Sequence, residues 1–279
     1  MAEILKGAPV AAALTEKLIA KADELKSKNI IPALAILRVG ENPGDISYET
    51  GAAKRCEKIG IEVKKFILHD ASNVLETIKK INDDKNIHGC LVLRPLPDKE
   101  IEKKACEILS PEKDVDCMTE KSLAKVFIGS GGFPPCTAQA CMEILDFYRI
   151  ELEGKNAAVI GRSLVIGKPV SMLLQKKNAT VTMCHSKTKN LEEICRNSEI
   201  IIAAIGKANF INSKFAAPGQ VIIDVGINVN SEGKLCGDVN FSEVEPIVKA
   251  VTPVPAGVGA VTTAVLAKHL IEAAVRFNI

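Results

Sequence analysis

Asn156-Ala157-Ala158-Val159-Ile160, followed by Gly161-Arg162-Ser163-Leu164-Val165-Ile166-Gly167-Lys168-Pro169, joins a short apolar strand to a glycine turn and a helix start. Junctions of this kind hold phosphates in α/β proteins. Glycine at the strand end lets the backbone turn tightly, and the first amides of the next helix point outward with a partial positive charge that favours an anion. The spacing is G-x-x-x-x-x-G rather than G-x-G-x-x-G, and the same junction also occurs as plain turn chemistry.

A second strand, Thr180 to Cys184, ends in His185-Ser186-Lys187-Thr188 about one βαβ unit further on. An acid at that position reads the ribose 2'-hydroxyl of NAD, whereas a 2'-phosphate needs cations and hydroxyls. The chain supplies Arg162, Ser186, Lys187 and Thr188 there. The expected cofactor is therefore NADP, with NAD still possible; a solvated polar loop is the alternative.

Elements that would position these groups alternate along the chain. Helix-period segments near Ala8–Ser27, Ile46–Ile59 and Asn73–Asp83 are interleaved with strand-like runs at Ala33–Arg38, Glu62–Leu68 and Gly89–Leu93. That alternation is an α/β pattern. Arg94-Pro95-Leu96-Pro97 stops the third strand, Gly129 to Pro135 looks like a domain joint, and Thr137–Tyr148 reads as a connecting helix. Four further strands are expected at Asn156–Ile160, Thr180–Cys184, Ile200–Ile205 and Val221–Val225. The tail from Thr252 starts as a Pro/Gly loop and continues as a helix, Thr262–Arg276, able to return to the first domain.

The 279 residues suffice for a sizeable core, and 36 basic against 34 acidic residues leave a formal charge of +2. With aromatics at only 4%, no nucleic-acid footprint is visible. No apolar run reaches the roughly eighteen residues of a membrane span, and Met1 to Lys6 lacks a signal-peptide core. A cytoplasmic protein is expected. Its nine cysteines contain no C-x-x-C pair, so they read as reduced thiols, and no metal site is expected.

Four motifs together carry a family resemblance: Pro95-Leu96-Pro97, Lys113-Asp114-Val115-Asp116, the Gly161–Pro169 loop with Cys184 to Thr188, and Thr252-Pro253-Val254-Pro255-Ala256-Gly257-Val258-Gly259. In order and approximate spacing the whole chain resembles the methylenetetrahydrofolate dehydrogenase/cyclohydrolase family. The resemblance implies an N-terminal α/β folate domain (1–135, with the segment 255–279 packing back on it) and a Rossmann-like doubly wound NADP domain (136–254). It also implies a folate cleft between them and a homodimer built on the nucleotide domains. Tyr48, Asp116, Pro255, Gly257, Val258 and Gly259 match the substrate site, Tyr48 and Asp116 being the catalytic-site matches. Gly161, Arg162, Ser163, Gly167, Ser186 and Gly206 match the cofactor site. A carboxylate such as Asp116 can accept the paired donors of a pterin amino-pyrimidine ring, and Tyr48 can lie flat along the substrate. Taken alone, Asp116 also reads as a surface or capping residue and Tyr48 as packing.

Members with both activities carry a lysine four residues after the tyrosine and a glutamine before Pro-Leu-Pro; here these positions are Ala52 and Leu93. A residue four along a helix returns to within roughly 40° of Tyr48, while Lys54 is rotated by about 240° and does not substitute. Hydride transfer from 5,10-methylenetetrahydrofolate rests on positioning. Hydrolysis of the methenyl cation needs proton transfer from a pKa-tuned group, so the expected cyclohydrolase activity is weak or absent. The usual bifunctional enzyme is the alternative within the class. A folate- or nucleotide-binding protein without turnover is the alternative outside it, since Ala256 and Ala260 stand where the family has glycine and proline.

Overall fold

The computed structural model describes residues 1–230 and 233–277. It divides into two compact units, one from Met1–Ala11 with Thr137–Thr262, the other from Ala12–Cys136 with Thr263 onward. In chain order the first half contains β1 (Glu3–Ile4), α1 (Gly7–Ser27), β2 (Ala33–Val39), α2 (Pro43–Ile59), β3 (Glu62–Leu68), α3 (Val74–Asp83), β4 (Gly89–Val92), α4 (Lys99–Ile108) and α5 (Glu120–Ile128). The second half contains α6 (Cys136–Phe147), β5 (Asn156–Ile160), α7 (Gly167–Lys176), β6 (Thr180–Cys184), α8 (Leu191–Arg196), β7 (Ile200–Ala203), β8 (Val221–Asp224), β9 (Asn228–Val229), β10 (Leu235–Cys236), α9 (Phe241–Val244), β11 (Ala250–Val251) and α10 (Thr262–Phe277).

The Ala12–Cys136 unit is built on a parallel sheet of order β3-β2-β4. All seven β2 residues are buried, which is why the central strand reads as an unbroken apolar run up to Arg38. On one face Ala35, Leu37 and Val39 pack with Ile78, Ile81, Cys90, Val92 and Leu109; Ala52, Cys56 and Ile59 form most of the buried face of α2. Helix α2 begins three residues before the expected Ile46. Asn42 caps it by accepting from the Gly44 and Asp45 N–H groups, and Pro43 supplies a preset φ at the first helical position. Strand β4 ends at Val92, one residue short of expectation, although the Leu93 N–H still donates to Leu37 O at 2.9 Å.

The other unit is a six-stranded parallel sheet of order β1-β11-β8-β7-β5-β6. Its strand order reverses beside β5, with β6 on one side and β7 on the other. In doubly wound sheets the crevice at the carboxyl ends of such strands is the ligand site. Glu3–Ile4 and Ala250–Val251 carry no strand signal of their own. Two-residue strands have no periodicity to detect, and their pairing spans almost the whole chain. Strand β7 stops at Ala203 rather than Ile205, because Ile205 N–H is drawn instead to the Asp238 carboxylate.

One buried charge holds the three-strand unit together locally. Lys113 Nζ donates to Ile81 O, Asn82 O and Asp84 O at 2.6, 2.9 and 2.7 Å, closing the C-terminus of α3. These carbonyls have no partner inside the helix. Burial pushes the Lys113 ammonium below its ordinary pKa, yet three acceptors satisfy all its protons. Lys113→Met is expected to strand them and cost about 3 kcal/mol, read as a lower urea midpoint at unchanged slope.

Candidate functional site

In the six-strand unit the loop after β5 is shaped by two close backbone approaches. Gly161 has φ +124°, and a Cβ there would lie 2.2 Å from Ala204 O; a Cβ at Gly167 would lie 2.1 Å from Gly161 O. No side chain fits at either position. The loop therefore folds tightly over the end of β7 and delivers the chain into α7, whose first amides face the loop. Ser163 Oγ accepts from the N–H groups of Ile166 and Gly167 at 3.1 and 3.5 Å, so it organises the turn itself.

Ile160 pairs with Cys184 in register, which sets Arg162 and Ser186, each two residues further on, at the same edge of adjacent strands. Both are exposed. The His185 N–H donates to Thr188 Oγ1 at 2.9 Å and the Lys187 N–H to His185 Nδ1 at 3.1 Å, fixing the loop that presents Ser186. No acid occurs between His185 and Asn190.

Gly206, after β7, has φ +71°. Its loop hangs on Asp238, whose carboxylate accepts from the N–H groups of Ile205, Gly206 and Lys207 at 2.6, 3.0 and 2.8 Å and from Asn228 Nδ2 at 2.9 Å. Asp224 is also buried. It accepts from the N–H groups of Gly226, Asp238 and Val239, while burial pushes its carboxyl up to about 6. Sequence reading missed this pair, because Asp224 reads as a strand end and Asp238 as a turn residue. A Gly-Asp dipeptide at Gly237-Asp238 was the available signal.

A pocket of about 490 Å³, its mouth included, is lined by Asp224 to Ile227, Leu235 and Pro253 to Ala260. Pro255, Gly257, Val258 and Gly259 all stand on its wall, Val258 with its side chain buried. Ala256 has φ +79°, the left-handed conformation expected to be strained for alanine, and its carbonyl accepts from the Gly7 N–H at 2.9 Å.

In the three-strand unit Tyr48 is half-buried on α2, Lys54 is exposed, and Ala52 and Leu93 are 0% and 7% exposed. Lys113 to Asp116 continues alongside β4, joined through the Cys90 N–H to Lys113 O bond of 2.7 Å. Asp114 organises the turn before α5, accepting from the Met118 and Thr119 N–H groups at 2.9 Å each. Asp116 is half-buried and takes a single backbone hydrogen bond, from Cys136 N–H at 2.9 Å, which leaves lone pairs for a ligand. Burial raises its pKa, against the Cys136 hydrogen bonds and the Arg94 guanidinium. His269 Nδ1–H donates to Val115 O at 2.9 Å and steadies the strip. Tyr48 and Asp116 thus belong to one unit, and the loop residues 161 to 259 to the other.

All nine thiols are free. Burial raises those of Cys56, Cys90 and Cys195 to about 12, which makes them poor nucleophiles. Among the described residues no cluster of His, Cys, Asp or Glu could hold a metal ion, and no helix is long and apolar enough to cross a membrane.

Comparison with known proteins matches this arrangement end to end. Residues 5–116 match the catalytic domain of tetrahydrofolate dehydrogenase/cyclohydrolase and residues 135–278 its NAD(P)-binding domain. The chain belongs to this family. A Carboxydothermus hydrogenoformans protein named Bifunctional protein FolD is 50% identical, the alignment covering 98% of this chain and 97% of that one. The FolD methylenetetrahydrofolate dehydrogenase/cyclohydrolase of Campylobacter jejuni superposes with a TM-score of 0.94 at 37% identity, over 99% of each chain. The Trypanosoma brucei FolD, solved with NADP cofactor and an inhibitor, gives 0.91 at 29% identity over 99% of this chain and 98% of that one. The chain is thus an enzyme of the tetrahydrofolate dehydrogenase/cyclohydrolase family, with a two-domain α/β fold.

Ala256→Gly should relieve the left-handed strain. Set against the extra entropy of an unfolded glycine, the net gain is about 0.5–1 kcal/mol, a rise of about 1–3 °C in melting temperature. An unchanged or lowered melting temperature would show that alanine sits there without strain.

Proposed function

We propose that this enzyme oxidises 5,10-methylenetetrahydrofolate to 5,10-methenyltetrahydrofolate with NADP and has weak or no cyclohydrolase activity. The observation that carries the reading is the pair of buried apolar side chains, Ala52 and Leu93, at the positions where dual-activity members have lysine and glutamine. Neither can hold or move a proton.

The glycine turn between β5 and α7 lies at the carboxyl end of the sheet where the strand order reverses, the place a doubly wound sheet offers a dinucleotide, and Gly161 and Gly167 let its backbone close tightly there. Arg162 and Ser186 would hold the 2'-phosphate, with no acid nearby to favour a 2'-hydroxyl. When bound, NADP supplies the hydride acceptor. Asp116 would accept the paired N–H donors of the pterin ring and Tyr48 would lie against its face. Folate's own nitrogen lone pair stabilises the cation formed, so the dehydrogenase step asks for orientation and no protein base. Cytoplasmic location and a homodimer built on the nucleotide domains complete the proposal, on the strength of the family resemblance.

The names of the relatives favour a second reading, a bifunctional enzyme. In that case the proton transfer of the hydrolytic step comes from a group other than residues 52 and 93.

Two measurements test these readings. Arg162→Ala should weaken NADP by roughly 10- to 100-fold, the loss of one charge-assisted contact, and leave NAD almost unchanged; equal losses would show that Arg162 does not read the phosphate. Methenyltetrahydrofolate added to the enzyme should disappear barely faster than in buffer, whereas a robust rate would establish the bifunctional reading.

A further inference from the structure

Helix α2, which carries Tyr48, has few apolar anchors at that end. Its inward-facing residues are Glu49, Ala52, Cys56 and Ile59, and the larger apolar ones come a turn or more beyond Tyr48. Glu49 does the anchoring. Its Oε2 accepts from Arg38 Nε at 2.7 Å and its Oε1 from Lys65 Nζ at 2.9 Å. Arg38 belongs to β2 and also donates to Gly40 O; Lys65 belongs to β3. Ile36 pairs with Lys65 and Arg38 with Ile67, so the two cations rise from neighbouring strands on one face of the sheet. A single buried carboxylate thus ties the start of α2 to both strands. Burial pushes that carboxyl up, but Lys65 and Arg38 outweigh burial and hold it below its ordinary value.

Ala52 lies one turn beyond Glu49 on the same helix face. Leu93 takes the register position beside Arg38, since Leu37 pairs with Val92. Where dual-activity members place their polar pair, this chain has apolar residues flanking an ion pair.

We infer that Glu49, through Arg38 and Lys65, is a positioning residue for Tyr48, setting the height and rotation of α2 and hence the plane of the tyrosine ring presented to the folate. The inference rests on the folate reading of Tyr48. An orienting ring works only within roughly 0.5 Å and 10–20° of the productive geometry, and a two-strand tether on the adjacent residue meets that demand. Arg38 and Glu49 are both almost fully buried, so neither side chain is free to re-form the contact elsewhere.

The test is a double-mutant cycle on Glu49→Gln and Tyr48→Ala, with kcat and KM measured for methylenetetrahydrofolate and for NADP. Glu49→Gln should raise the folate KM about tenfold and leave the NADP KM unchanged. In the Tyr48→Ala background it should add almost nothing. Glu49→Asp, which keeps the charge on a shorter stem, should lie between. Lys65→Met removes only the half-exposed partner, and should raise the folate KM about threefold even if Glu49→Gln does not fold. Full multiplication of the Glu49 and Tyr48 effects, or a lowered melting temperature with folate KM unchanged, overturns the inference alone. A Tyr48→Ala enzyme with normal folate kinetics overturns the folate reading of Tyr48 and this inference with it.

Discussion

Two backbone carbonyls govern the nucleotide domain. Ala204 O leaves no room for a side chain at 161, and Gly161 O leaves none at 167. The turn between β5 and α7 can therefore close only around glycine, and Ser163 pins it by accepting from the N–H groups of Ile166, Gly167 and Lys168. The register of β5 with β6 then sets Arg162 and Ser186 just past the same edge of adjacent strands. Asp238 repeats the device on the next loop, where a charge replaces steric exclusion: three consecutive N–H groups converge on one carboxylate and shape the Gly206 turn.

Much of this was legible in the residues. The glycine loop, the strands at 33, 62, 89, 156 and 180 and the helix from Thr262 show themselves through local rules, namely apolar runs, glycine turns and helical period. Illegible features depend on residues far apart. Asp238 acts on a loop more than thirty residues upstream, β1 pairs with a strand near the other end of the chain, and Glu49 takes Arg38 and Lys65 from separate strands. The first two pairings lie beyond any local window, and although Arg38 is only 11 residues from Glu49, the fold that joins them spans two strands and a helix, which no periodicity reports. Helices α4 and α5 are local, and the capping residues Asp98 and Thr119 that open them were the available signals.

Charge in the catalytic domain has been spent on geometry. Lys113 ends as a helix cap, Asp114 as a turn organiser and Glu49 as a tether, each buried and each fully partnered. Asp116 differs from them: its single backbone bond leaves part of its hydrogen-bonding capacity unspent. Ala52 on α2 and Leu93 just past β4 are buried and apolar, and carry no charge to be partnered.

The buried thiols give the molecule a means of recording its own opening. Cys56 and Cys90 lie in the cores about the three-strand sheet, Cys184 and Cys195 in the core of the six-strand sheet. With their pKa values raised by burial, none meets an alkylating reagent as a thiolate until its surroundings open. The chemistry of alkylation is the same at every site, so differences in protection translate into differences in local opening free energy. Four buried thiols thereby form a map of which domain breathes first.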